Sequence, residues 1–171
     1  MKRIYYSVAV SLDGFIAGPN GEADWIEFDQ SEAASYFAEF NARFDTAIMG
    51  RRSFEVYGGA VEGMDTYVFS RTLAASDHKG VTILGEDGIR RLAELKKQRG
   101  KDIWLFGGGT LFGSLAQAGL VDGVEIGVYP VLLGEGIPLM AGGCGRVNLR
   151  LDGIEQPRKG SVLALTYSVI G

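Results

Sequence analysis

The sequence has 171 residues, of which 46% are hydrophobic, enough for one domain with a substantial core. Its formal net charge of −4 argues against a general nucleic-acid binder, because a phosphate backbone requires a basic surface. Apolar runs are too short to span a bilayer, and the single cysteine, Cys144, excludes an internal disulfide framework and suits a reducing cytoplasm. We expect one cytoplasmic domain over residues 1–171 that binds neither nucleic acid nor membrane.

Strand and helix patterns alternate through the first two thirds of the chain. Residues 3–12 alternate as a strand, without a signal peptide's apolar block, and a loop rich in turn formers follows at 15–25. Asp29 and Glu32 have capping-box spacing. A helix is therefore predicted over 29–44, where apolar residues recur at helical intervals: Ala33, Phe37, Phe40 and Phe44.

The clearest helix is predicted at residues 86–100, where acids open the segment, Gly100 ends it, and Ile89, Leu92 and Leu95 form its apolar stripe. Strands are predicted at 45–50, 65–70, 81–84 and 102–106, a helical turn at 51–59, a helix at 110–118, and three final strands at 124–133, 146–156 and 161–170. This order predicts an α/β fold with right-handed crossovers and a largely parallel sheet. The final strands predict antiparallel additions at one edge.

The stretch "LFGGGTLFG" places Gly107, Gly108, Gly109 and Thr110 where a predicted strand becomes a helix. Bare glycines allow backbone N–H groups at a helix N-terminus to approach a phosphate. The same glycines could instead form a tight turn with close helix–sheet packing, and the sequence leaves both interpretations open. The stretch is neither a dinucleotide fingerprint, because Phe112 stands at its last glycine, nor a Walker A loop.

A second junction, "AIMGRRSFE", follows the strand that ends at Gly50. Arg51, Arg52 and Ser53 come directly after that glycine, and Arg71 follows the next predicted strand in "YVFSR". Neighbouring strands of one sheet would bring these arginines together at its carboxyl edge, where ligands of such sheets gather. Guanidinium groups bind phosphate bidentately, so the pattern favours an anionic nucleotide.

Other chemistry is poorly represented in the sequence. His78, the one histidine, lies in a polar loop and is expected to be exposed and inert, and Cys144 stands in a glycine-rich turn as a small residue. One histidine and one cysteine support no histidine-based triad and no zinc deaminase signature, and no carboxylate spacing suits a divalent metal. An enzyme of this composition would take its chemistry from a cofactor.

Together, "YSVAVSLDGFIAGPNGEADW", "AIMGRRSFE", "TYVFSRTL", "IWLFGGGTLFGSLAQAGLVD" and "YPVLLGEGIPLM" resemble the dihydrofolate reductase superfamily. The resemblance is closest to the branch that holds the reductase domain of the bacterial deaminase-reductase of riboflavin biosynthesis, and it covers essentially the whole chain. It implies a central mixed sheet of about eight strands flanked by helices, NADPH as the cofactor, and a possible homodimer through the C-terminal strands.

The resemblance also implies which residues contact each part of NADPH. Ala9 and Ile16 would line the nicotinamide slot. The 2′-phosphate, the pyrophosphate and the adenosine would be contacted by residues at the ends of two strands: Arg51, Arg52, Ser53, Ser70 and Arg71, with Gly50 before them. The pyrophosphate would be wrapped by Gly107, Gly108, Gly109, Thr110 and Leu111, with a cis peptide expected between Gly107 and Gly108.

One position departs from the family. Dihydrofolate reductases carry an acid on the first helix, and alignment through Phe37 puts Ala33 at its place, so no catalytic residue is assigned. Two functions stay open: an NADPH-dependent reductase acting on C=N or C=O of a small heterocyclic or sugar-like substrate, such as a pterin or 5-amino-6-(5-phosphoribosylamino)uracil, or a non-catalytic module that binds NADPH or a flavin nucleotide.

Overall fold

A computed structural model describes residues 1–27, 38–156 and 162–171. The strands are β1 (Ile4–Ser11), β2 (Phe15–Ala17), β3 (Phe44–Gly50), β4 (Asp65–Phe69), β5 (Val81–Leu84), β6 (Asp102–Gly107), β7 (Gly123–Tyr129), β8 (Ile137–Pro138), β9 (Asn148–Glu155) and β10 (Leu163–Ile170). The helices are α1 (residues 38–43), α2 (Arg51–Tyr57), α3 (Gly88–Lys97) and α4 (Gly109–Gln117), with a 3₁₀ turn at Ala75–Asp77.

Eight of these strands form one sheet in the order β5-β4-β3-β6-β1-β7-β10-β9. The six strands from β5 to β7 pair in parallel, whereas β10 runs antiparallel to both β7 and β9. The predicted mostly parallel sheet with antiparallel C-terminal strands is confirmed. Within it, β7 is itself parallel to β1, because the α4 crossover from β6 returns the chain in the same direction, so the antiparallel pairing begins at β10.

The sheet has a hydrophobic cluster on each face. On the first face, Tyr6 packs with Leu92 of α3 and Leu115 of α4, and its ring stacks on Phe112 at 4.4 Å between centroids. The second face carries a cluster around Phe44 and Met49, joined by Phe54 of α2, with Tyr5 and Trp104 against it. Because side chains alternate along a strand, Ser7 and Ala9 share the second face with Tyr5.

Two predicted elements differ from the structure. The loop predicted at 15–25 contains β2, which pairs with β8 through Phe15 opposite Pro138 and Ala17 opposite Ile137. The strand predicted at 124–133 ends at Tyr129, and the chain then turns towards β8. Strands of three and two residues carry too little periodicity to be recognised before their distant partner is known.

The predicted helix at 29–44 is tested only in its last part. Residues 38–43 are helical and Phe44 already begins β3. Four residues named in this prediction lie outside the described residues: Asp29 and Glu32 of the capping box, Ala33 and Phe37.

Buried lysines close the amino-terminal edge of the sheet. Lys2, only 5% exposed, forms an ion pair with Asp45 and donates to the Thr46 hydroxyl at 2.9 Å. Although burial acts in the opposite direction, hydrogen bonds from Lys2 and Thr46 lower the pKa of Asp45. Lys96 pairs with Asp122 at 2.7 Å. Both of these buried cations are therefore paired with a carboxylate of the same chain.

Candidate functional site

The carboxyl ends of β4, β3 and β6 lie side by side. Gly50, the last residue of β3, is opposite Phe69 of β4, and its neighbour Met49 is opposite Gly107 of β6. The glycine-rich junction and the arginine-rich junction therefore meet at one edge, as the strand pattern predicted. A Cβ atom on Gly50 would have no other atom within 4 Å, so the chain is open to a ligand at this point.

The turn after β6 begins with a cis peptide between Gly107 and Gly108, at the position that the resemblance implies. Gly107 has a φ of 158°, a conformation that side-chain-bearing residues rarely adopt. A Cβ atom would lie 3.4 Å from the Ser53 hydroxyl oxygen on Gly107, and 3.7 Å from it on Gly108. Ser53 of α2 thus sits directly against the glycine turn, which joins the two junctions.

Gly109 has a different reason to be glycine. A Cβ atom on it would lie 2.6 Å from the carbonyl oxygen of Pro138, 3.0 Å from that of Leu139 and 3.1 Å from the nitrogen of Ala141. These are backbone atoms, which cannot rotate away. The close-packing interpretation therefore accounts for Gly109, while Gly107 and Gly108 face the Ser53 hydroxyl.

Helix α4 starts without a side-chain cap. Its N-cap residue, Gly108, is extended, no side-chain cap hydrogen bond is present among the described residues, and no acidic residue lies in the first turn. The first N–H groups of a helix have no partner within it, so those of Gly109, Thr110 and Leu111 are donors for an anion. Thr110 is exposed and Leu111 half-buried. A pyrophosphate fits this arrangement.

Arg51 connects α2 with the segment after β4. Its Nε donates to Glu55 at 2.7 Å and its Nη1 donates to the Thr72 hydroxyl at 2.8 Å, and its side chain remains 50% exposed. Arg71 directly precedes Thr72, so the arginines of the two strand ends are neighbours. Arg52 and Arg71 are exposed, and neither has a hydrogen bond or ion pair with any described residue.

Ser70 shapes the turn that carries Arg71. Its hydroxyl accepts hydrogen bonds from the backbone N–H groups of Thr72 at 3.2 Å and Leu73 at 3.0 Å. Its own N–H donates to the carbonyl of Leu84 at 3.0 Å. These bonds shape the turn after β4 and tie its first residue to β5, which gives Ser70 a structural role whether or not it contacts a ligand.

The residues expected at the nicotinamide lie on the other side of the glycine turn. Ala9 is half-buried on the second face of β1, opposite Gly127 of β7. Ile16 is half-buried in β2, which is held by β8 and by a hydrogen bond from the Leu139 N–H to Gly14 at 2.9 Å. Since residues 138–141 also contact Gly109, the small β2–β8 sheet ties Ile16 to the start of α4.

Asp13 is an anchor that sequence analysis did not identify. Its carboxylate accepts hydrogen bonds from the Ser11 hydroxyl at 2.6 Å and from the N–H groups of Leu133 and Gly134 at 3.2 and 2.8 Å. The bond from Ser11, followed by that from Gly134, lowers the pKa of Asp13. Asp13 thereby fixes the approach to β8. The "DG" pair signals a turn, but nothing near it indicates a partner 120 residues away.

Aromatic side chains flank Ala9 on the second face. Phe106 of β6 has edge contacts with Tyr57 at 5.1 Å and Trp104 at 4.8 Å. On the other side Trp25 contacts Tyr129 at 5.5 Å, and its buried indole N–H has no hydrogen-bond partner among the described residues. The site therefore has aromatic walls, which the alternation of Trp104 and Phe106 could have suggested.

His78 and Cys144, which were not expected to take part in catalysis, have packing roles. His78 was expected to be exposed, but it is half-buried, with its ring edge-on to Phe54 at 5.2 Å. Cys144 lies against α4, since a Cβ atom on Gly113 would come within 2.2 Å of its sulfur. Within the described ranges, no three His, Cys, Asp or Glu residues are grouped to hold a metal ion. Nor does any helix there have the length and apolarity needed to cross a membrane.

This sheet order and the two junctions at its carboxyl edge define a dihydrofolate reductase-like α/β protein. The sequence profile of the RibD C-terminal domain family matches residues 2–163, and the chain belongs to that family. The YyaP protein of Bacillus subtilis is 38% identical over 166 residues, covering 88% of this chain and 86% of YyaP.

Solved structures agree on the fold. The deaminase/5-amino-6-(5-phosphoribosylamino)uracil reductase of Thermotoga maritima has a TM-score of 0.72 at 15% identity, covering 99% of this chain and 57% of that one. The dihydrofolate reductase of Enterococcus faecalis, solved with NADP(H), has a TM-score of 0.68 at 14% identity, covering 98% and 96%. The family supports a reductase-type function, and these neighbours show the fold.

Proposed function

We propose that this protein is a cytoplasmic NADPH-dependent reductase that transfers a hydride to the C=N or C=O group of a small heterocyclic or sugar-like substrate. One observation carries the proposal. The Gly107–Gly108 turn lies against Ser53, and Arg51, Arg52 and Arg71 are at the ends of the two adjacent strands. Backbone N–H groups without side chains and positively charged guanidinium groups lie together at this edge of an otherwise acidic protein. A phosphorylated dinucleotide requires such an arrangement.

Each part of the cofactor has a partner in this proposal. Arg51 and Arg71 take the 2′-phosphate, for which the planar guanidinium is suited, with Arg52 beside them. Ser53 and the start of α4 take the pyrophosphate, and Ser70 lies beside the adenosine. The NADP(H) bound by the dihydrofolate reductase of E. faecalis supports the choice of cofactor. NADPH supplies the hydride when it is bound.

The substrate slot lies where Ala9 and Ile16 would face the nicotinamide. Ala9 and Gly127 are opposite each other, and their small size leaves space above the sheet. Phe106 and Tyr57, which contact each other, form one wall of the slot. A flat ring fits such a slot, which supports pterin-like or uracil-like substrates. No proton donor is assigned to a side chain, and a water at the slot can deliver the proton.

The proposal predicts NADPH oxidation in the presence of the right acceptor. Loss of absorbance at the reduced nicotinamide band would be followed at steady state with a panel of pterins, pyrimidines and quinones. We expect turnover with at least one heterocycle. Tight NADPH binding without oxidation across the panel would contradict the reductase and favour the non-catalytic module, and tighter binding of a flavin nucleotide would favour a flavin carrier.

We also propose a homodimer through β9. Within the described part of the chain this strand pairs with β10 alone, which leaves its other edge unpaired there, a feature that proteins usually cover. Several apolar side chains of β9 and of its neighbour β10 are exposed: Leu149, Leu151, Ile154, Leu163 and Ile170. A second copy of the chain would bury them.

Light scattering coupled to size exclusion tests the dimer. We expect the parent protein to elute as a dimer and Leu151→Lys with Ile154→Lys as a monomer. Leu132→Lys is the control, because Leu132 is equally apolar and 69% exposed but lies outside β9. A monomeric parent, or an equal effect of the control, would overturn the proposal.

A further inference from the structure

A polar row crosses three neighbouring strands on the second face of the sheet. Ser7 of β1 is opposite Glu125 of β7, which is opposite Thr166 of β10. Directly paired residues of adjacent strands project to the same side, and the Ser7 hydroxyl donates to the Glu125 carboxylate at 2.8 Å. Three oxygen-bearing side chains thus lie in line in the middle of the sheet.

A row of small residues lies next to this polar row, two residues nearer the carboxyl edge. Ala9, Gly127 and Ala164 are opposite one another on the same three strands, and all are half-buried. Two residues span about 7 Å along a strand. The small row therefore forms a low floor, bounded by the polar row at its inner end and by Val162 and Tyr129 at its outer end, where the Val162 Cγ1 atom and the Tyr129 ring would lie 3.4 and 3.7 Å from a Cβ placed on Gly127.

Glu125 is held as an oriented carboxylate. Arg43 donates to its two oxygens at 2.6 and 3.2 Å, while the guanidinium lies 5.5 Å from the Tyr5 ring centroid. The Glu125 side chain is 17% exposed. A carboxylate has about four acceptor positions, and the bonds from Arg43 and Ser7 use three of them.

A purely structural ion pair would account for the contact between Arg43 and Glu125, since it ties the end of α1 to β7. It does not account for the position of a partly exposed carboxylate at the inner end of a floor of small residues. Charged groups in sheet interiors are costly, and an apolar pair at these positions would join α1 to β7 without that cost.

We infer that Glu125 determines substrate specificity by accepting a hydrogen bond from a ring N–H of a flat heterocycle that lies over Ala9, Gly127 and Ala164. Ser7 is a positioning residue that fixes the carboxylate, and Thr166 offers a second polar contact. The inference rests on the proposed function, because it places the substrate in the slot beside Ala9. It selects N–H-bearing rings, such as pterins and pyrimidines, over quinones.

Binding of pterin, followed by quenching of its fluorescence, tests the inference without turnover. We expect Glu125→Gln to weaken pterin binding about tenfold, the value of one charge-assisted hydrogen bond, and Ser7→Ala to weaken it less. Binding of 1,4-naphthoquinone, which has no N–H, should change little. Glu94→Gln, which removes a carboxylate from an exposed pair with Lys97, is the matched control and should change neither.

NADPH affinity and thermal stability of the same variants separate the possible failures. Pterin binding that falls while NADPH affinity and Tm are retained supports the inference. Equal losses for pterin and naphthoquinone, or a loss that accompanies a fall in Tm, would assign Glu125 a structural role and overturn it. A parent protein that binds NADPH but no pterin also overturns it and leaves the cofactor proposal standing, whereas pterin binding without NADPH binding overturns the reductase alone.

Discussion

Replacing Arg51 and Arg71 together by alanine is expected to weaken NADPH binding by about 100-fold or more and NADH binding by about threefold or less. Only NADPH carries the 2′-phosphate that these side chains would hold. A hydrogen bond to a charged group contributes about 1.5–3 kcal/mol, and 1.4 kcal/mol is about tenfold in affinity, so two arginines account for the loss. Isothermal titration of both cofactors measures it.

The control for this pair is Arg99→Ala. Arg99 is also exposed, but it lies beside Gly100 before the amino-terminal end of β6, at the opposite edge of the sheet. The fold should tolerate the double variant, because the Arg51–Glu55 pair is on the surface and such pairs contribute about 1 kcal/mol or less. Equal losses for NADPH and NADH would show that the arginines do not recognise the 2′-phosphate.

Gly109→Ala is expected to lower Tm by roughly 5 °C. The new Cβ would lie 2.6 Å from the carbonyl oxygen of Pro138 and 3.0 Å from that of Leu139, so α4 and the segment after β8 must separate. Overpacking of this kind costs about 1–3 kcal/mol, and each kcal/mol shifts Tm by about 2–4 °C in a protein of this size. NADPH affinity should fall as well, because the displaced residues begin α4. Differential scanning calorimetry measures the first effect.

Gly59→Ala is the matched control. A Cβ on Gly59 would meet no atom within 4 Å, so Tm should hardly change. The Gly50→Ala variant should also have an unchanged Tm for the same reason. A loss of NADPH affinity in this variant would indicate that the ligand lies close to the backbone at Gly50. A Gly109→Ala protein as stable as the control would mean that residues 138–141 yield easily and do not hold α4.

The frame of the fold follows from patterns within single segments. The arginines and glycines stand at strand ends in the sequence, and the carboxyl ends of parallel strands share one edge, so their meeting at β3 and β6 was predictable. The apolar stripe of α3 predicts this helix, and Leu92 of the stripe is fully buried, whereas Ile89 is 43% exposed. Only one face of α3 packs on the sheet, so a residue at the border of its apolar face stays in solvent.

Pairings between distant segments were not predictable. Asp13 bonds to Leu133 and Gly134, and Ser7 bonds to Glu125, across more than a hundred residues in each case. A lone serine or glutamate in a strand pattern signals only a break in hydrophobicity. Which residue it meets depends on strand order and register, and that order places β1 between β6 and β7.

The three consecutive glycines show what local sequence patterns can predict and what they cannot. Their place between a strand and a helix, and the arginines at the neighbouring strand end, were visible in the amino-acid order, because strand ends and helix starts are marked by local residue choice. The separate role of each glycine was not. Gly109 faces backbone brought from residues 138–141, and Gly107 faces the Ser53 hydroxyl, so the space around each α-carbon is set by segments that meet it only after the sheet has assembled.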